Sequence, residues 1–165
     1  IMAICSWISV SAGPVPFTLQ TFAVFVTAAL LGTKRGTIAV VVYILLGIIG
    51  VPVFAGLTGG PSVIAGPTGG FIVGFILTAI IIGLLMNLTN GKSEVVKLVI
   101  TVVAMVLGDV ACFAIGTVWF MVVTNNTVAV ALTYCVIPYI IPDIAKIVVA
   151  TIIANRVKKY VQIFN

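Results

Sequence analysis

The chain has 165 residues, 62% hydrophobic and 7% charged, with a net charge of +5. A water-soluble domain carries about 25% charged residues, so this chain folded in water would expose mostly oil, and its length suits one domain rather than two. Its cations sit in the breaks between apolar runs instead of forming a stripe, which argues for membrane topology and against a nucleic-acid partner.

A bilayer core takes about 20 apolar residues per helix, and runs near that size recur along the chain. The first, 1–10, opens on Ile1 inside an apolar stretch, so a short preceding tail is expected. SAGPVP follows, then a second run at 17–31, GTKRG, and a third run at 37–51. The second and third are short, as they would be with little tilt. A Gly-rich, uncharged stretch at 52–69 leads to the fourth run, 70–88. NLTNGKSEVVK is the one segment of mixed charge; the fifth run is 97–122, TNNT a turn, the sixth 127–155, and RVKKYVQIFN closes the chain. The reading is an all-α integral membrane protein: one domain, 1–165, of six transmembrane helices.

Threading six helices places Lys34 and Arg35, then Lys92, Glu94 and Lys97, then Arg156, Lys158 and Lys159 on one side. SAGPVP, 52–69 and TNNT fall on the other side and carry no charge. Cytoplasmic loops are the ones enriched in Lys and Arg, so both termini are expected in the cytoplasm. Five helices would scatter the charges over both faces.

Asp109, Asp143 and Lys146 fall inside the fifth and sixth runs. At 1.5 Å per residue they reach similar depth, Lys146 roughly 15 Å and Asp143 roughly 20 Å above Arg156. A lone charge at that depth costs about 2.5–3.5 kcal/mol or more, so such residues face a cavity or a partner. Asp143 and Lys146 share a helix face at i, i+3. Pro142 is expected to disturb the preceding turn and free carbonyls for a polar pocket. Three readings stay open: an ion pair that pins helices, a proton or ion relay, and a ligand site. Asp109 is as readily an interhelical partner as a ligand contact.

The loop 52–69 lacks the Gly-Lys-Ser/Thr that a phosphate-binding loop would need. It reads either as a connector or as a lid packed down by its apolar residues, with Gly56, Gly59, Gly60, Gly66 and Gly69 supplying backbone amides that could hold an anion. Gly66, Gly70 and Gly74, like Ala104/Gly108 and Ala150/Ala154, recur at four-residue spacing and allow close helix approach. Trp119, Tyr134 and Tyr139 sit where an interfacial belt belongs, with pocket lining as the alternative. The three cysteines, Cys5, Cys112 and Cys135, have no metal-ligand spacing, and with no histidine in the chain zinc-peptidase and Ser-His chemistry are excluded. No metal or cofactor is expected, and no enzyme activity.

Five segments in order carry a resemblance: PVPFTLQTFAVFV at 14–26, GTKRG at 32–36, LGIIGVPVFAG at 46–56, GPTGGF at 66–71 and PDIAK at 142–146. Together they resemble the BioY family, the biotin-binding S components of energy-coupling-factor vitamin transporters. The resemblance implies six helices, a biotin site opening outward under a lid of external loops, a bacterial cell-membrane location, and partnership with a transmembrane coupling subunit and two cytosolic ATPases. It also carries the family's last-helix Asp and Lys onto Asp143 and Lys146. Biotin's ureido ring offers two N–H donors to an ionised Asp143 and a carbonyl to a protonated Lys146. Its carboxylate would point outward, with Gln20 a candidate to meet it. Gln20, Tyr43, Asp109 and Tyr139 complete the candidate ligand contacts. In one respect the chain departs: S components dock through Ala-x-x-x-Ala in the first helix, whereas Ala3 is followed four residues later by Trp7. The docking residues stay unassigned. A stand-alone secondary carrier using Asp109, Asp143 and Lys146 is the competing reading, and a membrane enzyme a weaker one.

Overall fold

The computed structural model describes the backbone of residues 1–10 and 13–161 and side chains up to residue 157. Helix α1 covers Met2–Trp7, α2 Gln20–Ile48, α3 Pro61–Ala65, α4 Gly69–Met86, α5 Glu94–Thr124, α6 Val128–Cys135 and α7 Ile140–Val161. Two short strands, β1 (Ser9–Val10) and β2 (Phe17–Thr18), pair antiparallel with Val10 opposite Phe17. The sequence gives little warning of this ribbon, because two-residue strands are too short to show a period.

Helix α2 is a hairpin. Gly32 has φ 72° and ψ −173°, a left-handed conformation open to glycine at little cost. The chain reverses there: Gln20 Nε2 lies 2.5 Å from Tyr43 Oη, although 23 residues of straight helix would span roughly 35 Å. A Cβ on Gly36 would stand 3.0 Å from Ala28 Cα, which fixes how tightly the halves 20–31 and 33–48 pack. The expected GTKRG break is thus a single residue, and Thr33, Lys34 and Arg35 already belong to the returning helix.

Among the described residues four helices are long and apolar enough to cross a membrane: Gln20–Ile48, Gly69–Thr89, Glu94–Thr124 and Val128–Val157. The first is the one doubled at Gly32. The last is interrupted by a 3-10 turn at Ile137–Tyr139. Pro138 sits in that turn, where the helical ladder is already broken, whereas Pro142 lies in the first turn of α7. A first-turn proline removes no intrahelical bond. The disturbance expected at Pro142 therefore falls one turn earlier.

Small residues hold the helices together as their spacing predicts. A Cβ on Gly70 would lie 2.2 Å from Trp119 Cβ, one on Gly74 3.2 Å from Cys112 Cα, and one on Gly83 2.4 Å from Thr33 Cα. Ala104, Ala150 and Ala154 are fully buried. The main core gathers α1, α2, α4, α5 and α7 around Phe25, Ile82 and Met105. A second, smaller core joins Val15, Phe120, Ala131, Cys135 and Tyr139 near the ribbon.

Charges collect at one end. Asn87 Nδ2 reaches Thr33 Oγ1 at 3.5 Å, bringing the tip with Lys34 and Arg35 beside the 87–93 turn and Lys92. Lys97 pairs with Glu94 at 2.9 Å. Helix α7 runs opposite to α5, with Thr151 Oγ1 3.5 Å from Met105 Sδ, so Arg156 falls at this same end. Lys158 and Lys159 continue α7, but their side chains lie outside the described residues.

Candidate functional site

The uncharged end holds a cavity of about 190 Å³. Val15, Pro16 and Thr18 of the ribbon and Gln20 of α2 form one side of it. Phe54, Ala55, Thr58, Val63 and Thr68 of the long loop also line it, and Phe71, Ile72, Phe75 and Phe113 supply apolar walls from α4 and α5. Cys135, Tyr139 and Lys146 close it from the last two helices. Such a site, mostly apolar with few convergent polar groups, is the usual form of a small-molecule pocket.

Lys146 is the cation that reaches the cavity. Its Nζ stands 2.7 Å from Asp143 Oδ1, a contact ion pair rather than an aligned hydrogen bond, and donates to Thr21 Oγ1 at 3.1 Å. An ammonium has three donors, so donor capacity remains beyond the one bond to Thr21 and the ion pair with Asp143. Asp143 is 3% exposed and does not line the cavity; it stands behind Lys146 as its counter-charge. Asp109, 7% exposed, lies within electrostatic reach of both, and its Oδ1 has no hydrogen-bond partner. The three intramembrane charges expected at similar depth therefore do converge, with Lys146 in front and the two carboxylates away from the wall.

Aromatic contacts set the outer half. Tyr139 stacks on Phe17 with centroids 4.3 Å apart and planes 20° from parallel, and Phe113 meets both Tyr139 and Phe71 at 6.3 Å. The Tyr139 hydroxyl donates to the Val15 carbonyl, so Tyr139 belongs to the pocket rather than to an interfacial belt. Trp119 donates its indole N–H to Gly66 O at 3.0 Å and so ties α5 to the loop.

Gln20 lines the cavity, but Tyr43 does not. Tyr43 receives the Gln20 amide at 2.5 Å and donates to the Val53 carbonyl at 2.8 Å. Of the loop glycines, none lines the cavity. Their work is backbone geometry: a Cβ on Gly69 would meet Ile64 O at 1.7 Å. The amides of Gly60, Gly66 and Gly69 already donate to Gly47, Val63 and Gly66 carbonyls, which leaves Gly56 and Gly59 of the five expected to offer theirs. Thr21, Phe71, Phe75 and Phe113 were not among the expected contacts; nothing local sets them apart from other apolar-run residues. Among the described residues no cluster of three His, Cys, Asp or Glu could hold a metal.

The sequence pattern of the BioY family matches residues 1–163. This chain belongs to the BioY family. A relative named biotin transporter BioY, from Thermotoga maritima, is 42% identical over 159 residues, covering 96% of this chain and 90% of that protein. A probable biotin transporter BioY from Pyrococcus horikoshii is 40% identical, covering 92% of this chain and 85% of the relative. The fold is similar to the crystal structure of an S-component for biotin from an ECF-type ABC transporter, at a TM-score of 0.84 and 27% identity over 96% of this chain and 85% of that one. These relatives are named as transporter parts, not enzymes. Three of the quoted segments reach the cavity: PVPFTLQ through Val15, Pro16, Thr18 and Gln20, GPTGGF through Thr68 and Phe71, and PDIAK through Lys146.

Proposed function

We propose that this BioY chain is the high-affinity biotin-binding S component of an ECF-type importer. The observation that carries the reading is Lys146, a cation with an unused donor at the wall of a largely apolar cavity in a chain of this family. The ureido carbonyl accepts from Lys146, while Asp143, behind it, keeps the ammonium charged and aimed at the cavity. Charge-assisted bonds of this kind are about twice as strong as neutral ones. The thioether ring and valeryl chain lie against Phe71, Phe75, Phe113 and Tyr139. The carboxylate points toward the loop, near Thr58 and Thr68.

In this reading the chain crosses the membrane six times, with both halves of α2 and the short α1 counted, and both termini face the cytoplasm. The loop 52–69 acts as the lid. A coupling subunit and two cytosolic ATPases supply the energy, since the described chain has no nucleotide-binding loop. Calorimetry on the purified protein without ATP or metal should show tight, saturable biotin binding. No heat and no thermal stabilisation at saturating biotin would remove the reading. Accessibility labelling of Lys92→Cys and Asn126→Cys should mark opposite membrane faces; labelling from one face would refute the topology.

A further inference from the structure

The carbonyl of Val53, at the root of the loop, faces two buried hydroxyls on different helices. Tyr43 donates to it at 2.8 Å. Ser6 Oγ lies at 2.5 Å from it and at 2.7 Å from Ala3 O, so the single Ser6 proton is shared between the loop root and its own helix. One residue earlier, the Pro52 carbonyl accepts from Trp7 Nε1 at 2.8 Å. Helix α1 therefore meets the first two residues of the loop from one side, while α2 holds Val53 from the other. Phe54 follows directly, 1% exposed, with its ring edge-on to Tyr43 at 5.7 Å and filling the space beside Gly47. Phe54 is also a cavity wall.

The direction of the proton chain is fixed. Val53 O can only accept, so the Tyr43 proton goes there, and the Tyr43 oxygen takes its other bond from Gln20 Nε2. Gln20 itself lines the cavity. A single hydrogen-bonded path thus runs from the cavity through Tyr43 to the loop root and on to α1. Each link is buried, where an unmade bond costs most.

We propose that Tyr43 is a positioning residue that latches the loop 52–69 shut over the cavity, with Ser6 and Trp7 of α1 as the second side of the latch. Tyr43 touches no ligand; it acts through Gln20 and the Val53 carbonyl. Movement of α1 away from α2 would release the loop root without any change in the loop itself.

The test is Tyr43→Phe, which keeps the ring against Phe54 and removes both hydroxyl bonds, with Ser6→Ala removing the Ser6 half of the α1 side and leaving the Trp7–Pro52 bond. Amide exchange across 55–60 in the unliganded protein should speed up in both variants. The biotin dissociation rate should rise about ten-fold in Tyr43→Phe and less in Ser6→Ala, the size expected for one or two lost bonds. The association rate should stay within about two-fold, as is usual when closure rather than encounter changes. Thr101→Val removes a part-buried bond to Lys97 O at the far end; it should lower the melting temperature and leave both readouts alone. Unchanged loop exchange in Tyr43→Phe, or in Ser6→Ala should the first variant fail to fold, overturns the latch. The dissociation arm rests on the biotin reading, whereas the exchange arm needs no ligand. Absence of biotin binding by the unaltered protein would therefore remove that reading and leave the latch to be decided by exchange.

Discussion

The two ends of this helix bundle are built by different means. At the charged end Lys34, Arg35, Lys92 and Arg156 are exposed, and the Glu94–Lys97 pair is a surface contact with Glu94 83% exposed. Surface pairs of this kind contribute about 0–1 kcal/mol. At the cavity end Asp143 and Lys146 side chains are 4% and 10% exposed, and segments 124 residues apart meet through Tyr139 and Val15. Charge at the first end is solvated and can be rearranged cheaply. Charge at the second end is enclosed, and losing one partner strands the other.

The comparison is sharpened most by Lys146. Lys146→Met or Asp143→Asn should each weaken biotin binding by at least about 1.5–3 kcal/mol, the range for bonds to charged groups. The double variant should fold better than either single, because neither member of the pair is left facing an empty partner and only Asp109 loses its nearby cation, yet it should bind no better than the singles. A stable double variant with near-native affinity in calorimetry would make the pair a mere helix pin and the two ends alike.

Gly70→Val should come next. Its Cβ would overlap Trp119, and overpacking of this kind destabilises by about 1–3 kcal/mol, read as a lower midpoint of thermal unfolding. Tyr139→Phe removes the bond to Val15 while keeping the stack on Phe17. A loss of about 1 kcal/mol in stability is expected, the usual net worth of one buried hydrogen bond. Smallest of all, Lys34→Gln with Arg35→Gln should leave biotin affinity within about two-fold, since surface changes far from a site do little. A large loss there would mean that the charged end communicates with the cavity and that the division is wrong.

The same division explains what could be read in advance. Apolar runs and loop charges are local signals, and they locate α4, α5 and the end of the bundle where the cations collect. The intramembrane charges stood out because they are rare at that depth, and the structure does bring Asp109, Asp143 and Lys146 together. Helix ends were harder. Lys34 and Arg35 looked like a loop, but both are good helix formers, and only Gly32 breaks the ladder. The cavity walls were invisible for another reason: Phe71 and Phe113 differ from neighbouring apolar residues only in what the fold places opposite them. Tyr43 was singled out as a ligand contact; the geometry puts it one bond away, behind Gln20.

The reversal at Gly32 has a consequence for the lipid. The halves of α2, 20–31 and 33–48, are roughly 18 and 24 Å long, against a hydrocarbon core of about 30 Å. A span that falls short is met by a thinner bilayer or by flanking side chains that reach for the headgroups. Lys34 and Arg35 sit at the tip of the hairpin, where long cationic side chains can extend to the interface while their stems stay in oil. The α2 hairpin is thus the part of the bundle whose length matches the hydrocarbon core least well, whereas α5, at 31 residues and roughly 46 Å, has length to spare.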